Sequence, residues 1–359
     1  MRVRLRDVAE AVGVSDATVS LALAGNPRIS EETRRRVVEA AERLRYRPNR
    51  AARALRTEST QTLGLIVSDV ANPFFGELAG AVERICASAG YSVMLCNSDE
   101  DESRQDAYLH ELLGGSQADG VLLVPVSSMT PGLRAAGLDR ANLVLLDRPI
   151  EVSEEDEGLA HLLHLPVVRS DPAQALDECA EMLYSWGHRR VGIVTPPLNL
   201  PIGQRRRDEI FAALLAVGLS PEDIAIEQGD FRQKSGERAT SALMARAEPP
   251  TAIIAADGLM GVGAMKALRR QGLQVPTDVS LMCFDDAPWF ELFDPPLTAI
   301  AQPVDELAAS AVSILLAMVE GVSHPDAQNL RPACTLIRRV SCGPTSAKPS
   351  EVRTQPKNT

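Results

Sequence analysis

LRDVAEAVGVSDATVSLALAG, residues 5–25, carries the pattern that decides the reading of this chain. A helix-turn-helix needs a small residue where its two helices cross, a residue able to take positive φ at the turn, and an apolar residue that locks the second helix. Ala9, Gly13 and Val19 supply these in order. Leu5, Val8 and Val12 share one face of a first helix, and Ser15 stands where a second helix needs its cap. A third helix follows, capped by Ser30, with Glu31 and Glu32 at its positive end and Val37, Ala41 and Leu44 as its buried stripe. In such a head the second helix enters the major groove. Asp16, Ala17 and Leu21 then point at base edges, while Ser15, Thr18 and Ser20 bond phosphates or tie the motif together.

Charge agrees with this. The chain of 359 residues has a net charge of −11, which by itself argues against a nucleic-acid partner. Residues 1–60, however, hold thirteen Arg against eight Asp and Glu, an excess of five positive charges. The rest therefore carries an excess of sixteen negative charges, and a basic head on an acidic body confines contact with an anionic polymer to the head. The six cysteines show no CxxC spacing, so neither zinc nor a redox pair is expected. No signal core or membrane-length apolar run is present in the sequence, and the expected compartment is the cytoplasm.

From Thr62 onward the pattern is that of alternating strands and helices. LGLIV, YSVMLC, GVLLVPV and NLVLLD come first; after Pro166 follow VVRSD, RRVGIVT, TAIIAAD and SLMCFDD. Continuous apolar runs separated by helix-length segments are the mark of buried parallel strands, and two such series predict two doubly wound α/β lobes. Residues 151–165 interrupt the series as a surface insertion, residues 297–302 are extended, and one long helix runs from there to about Glu320.

The strings DVAEAVGVSDATVS, ISEETRRRV and YRPNRAARAL resemble the head and hinge of the lactose-repressor (LacI/GalR) family, and the likeness continues to about Pro344. It implies a hinge helix beginning after Pro48 that folds on operator DNA, with Asn49, Arg50 and Ala52 beside the DNA. Leu55 then stands where the family wedges a side chain into the minor groove. One departure is Leu21, where relatives often carry Arg. It cannot fork onto guanine and suits a thymine methyl instead.

The implied body is periplasmic-binding-protein-like, with a cleft for a sugar or sugar derivative. Its expected lining is Asn72, Phe74 and Phe75 in NPFF, Asp147 and Arg148 in LLDR, Arg206 in QRRRD, and Phe231 after Gly-Asp. Asp257, Asp285 in CFDD, and Gln302 in AIAQP complete the set. Rings cover the C–H faces of a sugar and planar polar groups bond its hydroxyls. Strand ends are where open α/β sheets bind ligands. Two departures stand out: Ala256 replaces the Asn that usually precedes Asp257, which would remove a polar pair from one edge of the ligand, and Glu209 replaces a Gly.

These readings divide the chain into a helix-turn-helix domain at 1–47, a hinge helix and linker at 48–60, an effector-binding core at 61–344 and a disordered tail at 345–359. Within the core, one lobe takes about 61–165 and 298–322, the other about 166–297 and 323–344. The expected partners are an inverted-repeat operator in double-stranded DNA, a carbohydrate effector and a second copy of the chain; no membrane, metal or cofactor is expected. An enzyme is the rival class, but the body has no Gly-x-Gly-x-x-Gly after a strand, no P-loop and no catalytic triad. His161 and His164 lie in the irregular insertion, and His188 is placed to order a turn. A second rival is a regulator whose core no longer binds ligand.

Overall fold

The computed structural model describes residues 3–23, 25–46, 59–115, 117–127, 130, 133, 141–150, 165–322 and 329–346. Expectations for Asn49, Arg50, Ala52 and Leu55, for the hinge helix, for residues 151–164 and for residues 347–359 fall outside these. The chain divides into two compact units, Met1–Thr60 and Gln61–Thr359.

The first unit is a three-helix head: α1 (Leu5–Val12), α2 (Asp16–Leu23) and α3 (Glu31–Arg43). Gly13 ends α1 in the left-handed region at φ 73°, where a Cβ would be strained. The Ser15 hydroxyl accepts the Thr18 N–H at 3.1 Å to start α2, and Ser30 does the same for Thr33 in α3. Val8, Val12, Val19 and Val37 are buried together, and Arg36 reaches back to the Val12 carbonyl at 2.8 Å, a cation on the negative end of α1.

In the second unit, β1 (Thr62–Val67), α4 (Pro73–Ser88), β2 (Ser92–Asn97), α5 (Glu102–Leu109), β3 (Gly120–Leu123), β4 (Leu143–Leu146) and β5 (Val167–Val168) come first. The strands form a parallel sheet in the order β2-β1-β3-β4-β5. Leu63, Leu65 and Val67 pack into one core, and Ile66 and Cys96 into the core on the other face. The second lobe follows with α6 (Ala173–Ser185), β6 (Val191–Thr195), α7 (Pro201–Ala216), β7 (Ile224–Gln228), α8 (Gln233–Met244), β8 (Ala252–Ala255), α9 (Gly258–Arg270), β9 (Ser280–Phe284) and β10 (Thr298–Ala301). After it, α10 (Val304–Val319) returns to cover the first sheet, and β11 (Thr335–Ile337) closes the second sheet antiparallel to β10. That sheet runs β11-β10-β9-β8-β6-β7.

The lobes exchange strands differently from the expectation. β5 belongs to the first sheet, although the second lobe was expected from 166. β10 belongs to the second sheet, although 298 onward was expected in the first. The chain crosses between lobes only after each of these strands, and again near 331–334. The crossings are tied together: Val168 bridges Leu330, Asp171 bridges Ala333, and the Ser170 hydroxyl donates to the Gln302 side-chain oxygen at 2.6 Å. His188 is buried between the Thr251 hydroxyl at 2.8 Å and the Gly343 carbonyl at 2.9 Å, so it pins the start of β6 to the end of the core rather than serving a site.

Candidate functional site

On the head, the exposed face of α2 carries Asp16, Ala17 and the half-exposed Leu21, while Val19 and Ala22 turn inward. Ser15 and Thr18 are bonded to each other through their hydroxyls at 2.8 Å, and Ser20 is half-buried. The presented surface is thus one acid and two apolar side chains.

In the core, nine of the ten residues expected for the effector come together in one pocket at the lobe interface. From the first lobe, Asn72 caps α4 by accepting the Phe74 N–H at 3.1 Å and brings Phe74 and Phe75 to the wall, their rings 5.0 Å apart. Asp147 and Arg148 follow β4. From the second lobe come Arg206 on α7, Phe231 before α8, Asp257 at the start of α9 and Asp285 after β9. Asp147, Phe231 and Asp285 all hold left-handed backbone, at φ 66°, 64° and 66°. For residues other than glycine this costs energy and aims side chains that regular strand ends would not.

Gln302 is not part of the wall. It stands behind it, donating to the Asp285 carboxylate at 2.6 Å. Ala256 corrects an expectation: its methyl is fully buried in the apolar core of the second lobe with Ile254 and Phe284, and only its carbonyl turns to the site, accepting Arg206 at 2.7 Å. The strand alternation that puts Asp257 in the pocket puts Ala256 beneath it.

Three lining residues were not anticipated: Asp69, Glu100 and Ile202. Glu100 matters most. Both its oxygens accept from Arg148, at 2.9 and 2.8 Å, and Arg148 also donates to the Ser68 hydroxyl and the Pro125 carbonyl. Burial works against the Arg148 charge, but the Glu100 charge and its hydrogen bonds outweigh it and raise the pKa. Arg148 is therefore held by the protein, with its guanidinium 5.1 Å from the Phe231 ring of the other lobe. The sequence signal was there, since Ser68-Asp69 and Asp99-Glu100 follow β1 and β2 at strand ends, but no spacing rule says which carboxylate reaches Arg148.

Arg206 is different. It lies 4.1 Å from the Phe284 ring, uses one N–H on Ala256 and has Asp285 at 3.8 Å. Among the described residues its guanidinium makes no other hydrogen bond. Burial raises the Asp285 carboxyl, while Arg206 and Gln302 pull it back; Asp257 is pushed up to about 7 by burial and then by Asp285. The lobes also touch directly. Asn72 donates to Asp257 at 3.1 Å, and Arg232 of the second lobe donates to Asp69 and Asp99 of the first at 2.8 and 2.6 Å. Glu209 pairs with Arg205 at 3.8 Å on α7 and does not line the pocket.

A helix-turn-helix head on a two-lobed core with a polar, ring-lined cleft defines a ligand-responsive DNA-binding regulator. The comparisons with known proteins make this specific. Residues 4–49 match the lacI family of bacterial regulatory proteins, and residues 180–342 match a periplasmic binding protein-like domain. The chain is 33% identical to the HTH-type transcriptional repressor CytR of Escherichia coli (strain K12), over 96% of this chain and 97% of the relative. It is 32% identical to the catabolite control protein A of Priestia megaterium, over 88% and 92%. The lac repressor dimer bound to operator and the anti-inducer ONPF superimposes with a TM-score of 0.80 at 26% identity, over 95% of this chain and 99% of that one. A complex of the transcriptional regulator CelR with cellobiose gives 0.67 at 30% identity, over 95% and 100%. The chain belongs to the lacI family. It is a DNA-binding transcriptional repressor and not an enzyme.

Proposed function

We propose that the effector is a sugar or sugar derivative held in the interlobe pocket, and that the chain acts as a two-fold dimer on an inverted-repeat operator in the cytoplasm. The observation that supports the first part is the convergence of left-handed Asp147, Phe231 and Asp285, together with Arg206, on one cleft. In this reading Arg206 donates to ligand hydroxyls, Asp147 and Asp285 accept from them, and Phe74, Phe75 and Phe231 cover the apolar faces of the ring. One head reads only a few base pairs, so useful specificity needs two. Asp16, Ala17 and Leu21 read bases; Asn49, Arg50, Ala52 and Leu55 serve the hinge and the minor groove.

One observation favours the rival, a core without ligand. The pocket walls leave only about 10 Å³ of free space, room for a single water. A sugar enters only if Asn72–Asp257 and the Arg232 bridges part. Calorimetry of the full chain against pentoses, hexoses, deoxy sugars and nucleosides decides between the two, alongside operator selection from random duplex DNA. The expected result is one tight ligand, an enriched inverted repeat, and ligand affinity that changes with operator by the factor by which ligand changes operator affinity. No ligand in the panel, with operator binding intact, supports the rival.

A further inference from the structure

Resting on the reading of the cleft as the effector site, we propose that it selects neutral or cationic donors, free sugars and amino sugars, and excludes phosphorylated and carboxylated ones. The pocket wall holds five carboxylates, Asp69, Glu100, Asp147, Asp257 and Asp285, against two guanidinium groups, Arg148 and Arg206.

Arg148 is closed to an anion, and Arg206, which keeps N–H groups free for a ligand, has its charge already set against a carboxylate. Arg148 has its two terminal nitrogens engaged by Glu100, Ser68 and Pro125, and its remaining Nε, which has no hydrogen-bond partner, points toward Asp147 at 3.6 Å. Arg206 sits beside Asp285. At the rim, Arg232 is shared between Asp69 and Asp99.

The other common means of holding phosphate is the open N-terminus of a helix, whose free N–H groups and dipole attract negative charge. Of the helices whose first turns reach this cleft, α7 begins with Pro201, which has no N–H, α8 follows Arg232 without a side-chain cap, and α4 and α9 are stoppered by side chains. Asn72 accepts the Phe74 N–H of α4, and Asp257 accepts the Met260 N–H of α9 at 2.9 Å. The second stopper adds a negative charge where a phosphate would need a positive one. The crowding already shows in the proton affinity of Asp257, pushed up to about 7 by burial and by Asp285. A further anion would have to bind against all of these, whereas a hydroxyl or ammonium donor can bond Asp147, whose carboxylate has no hydrogen bond among the described residues, and the spare lone pairs of Asp285.

Calorimetry on the full chain at pH 8 and constant ionic strength tests this with matched sets: glucose, glucosamine and glucose 6-phosphate; ribose and ribose 5-phosphate; galactose and galacturonate. In any set with a binding member, the neutral or amino form is expected to bind at least tenfold tighter than the anionic form. Asp147→Asn should narrow that gap, because it removes charge and keeps shape. An anionic form that binds as tightly as its neutral partner overturns the proposal while leaving the cleft a sugar site. A second measurement covers the case in which no sugar binds, which sinks the sugar reading alone. Inorganic phosphate should then give no thermal stabilisation beyond that of chloride at equal ionic strength. Stabilisation by phosphate that disappears in Arg206→Gln would show an anion site and overturn the exclusion.

Discussion

Of the strand ends that line the cleft, two, one from each lobe, put an aspartate in the same left-handed backbone and follow it with residues of opposite charge. β4 runs into Asp147 and β9 into Asp285, each at φ 66°. The next residue in each case belongs to a forked ion pair. Arg148 is gripped by both oxygens of Glu100; Asp286 is gripped by both terminal nitrogens of Arg339, each at 2.8 Å. A bidentate fork fixes direction as well as distance, which a left-handed turn at a strand end needs if the aspartate is to stay aimed. The difference lies in burial. The Arg148 side chain is 6% exposed and forms part of the pocket wall, while Asp286 and Arg339 are 24% and 16% exposed and neither lines that pocket. The residue after each aspartate is thus a brace, and charge in the motif LLDR does not by itself mean contact with ligand.

The largest test of that contrast is to break each fork. Glu100→Gln leaves Arg148 buried without its carboxylate and should cost about 3–5 kcal/mol, read from denaturant unfolding of the full chain. Arg339→Gln, with water able to reach Asp286, should cost only about 1.5 kcal/mol. Equal losses would erase the distinction between the braces. A middle-sized effect separates the aspartates themselves. Asp285→Gly loses the Gln302 bond and the Arg206 neighbour and should cost about 2 kcal/mol. Asp147→Gly relieves left-handed backbone at a side chain with no hydrogen bond among the described residues, and should leave stability within about 0.5 kcal/mol or raise it. If Asp147→Gly is the more damaging of the two, the supports have been assigned the wrong way round.

The smallest expected effect is a slope with pH. The Asp257 carboxyl is raised from 3.8 to about 7, so between those values the native state binds a proton that the unfolded chain has released. Its contribution is therefore fully present below the unfolded value and is lost as pH rises through about 7. Thermal unfolding of the parent should lose about 1 kcal/mol more than Asp257→Asn between pH 6 and 8. Parallel pH profiles would mean that Asp257 is ionised throughout, compensated by Asn72 and Met260.

Most of this arrangement was readable because strand ends carry recognisable strings. NPFF, LLDR, GDF and CFDD each deliver their expected residues to one wall. What escaped is what depends on reach across the fold. Glu100 sits in an acidic run after β2, and only the packed structure says which of its carboxylates meets Arg148. Gln302 was found but acts one step back, through Asp285. Ala256 was placed on the ligand's edge from the family's Asn-Asp string, whereas in this chain its methyl packs in the second-lobe core and only Asp257 lines the pocket. The lobe boundaries missed by one strand at two of the three crossings. β5 has two residues, too few for a pattern, and β10 is as apolar as its neighbours whichever sheet it joins. The head was legible nearly whole, since caps and the φ 73° glycine are local chemistry.

The stitched crossings have a mechanical consequence. A single strand between two plates permits swing, twist and slide alike. Here three passes run side by side, joined by the Val168–Leu330 and Asp171–Ala333 bridges and by Ser170 with Gln302, so they act as the knuckles of one pin. Torsion would shear the bridges and sliding would stretch one strap against the others, whereas bending about the row strains none of them. The core therefore moves along one angular coordinate, and whatever opens the gate by the Arg232 bridges must do so by rotation about that pin.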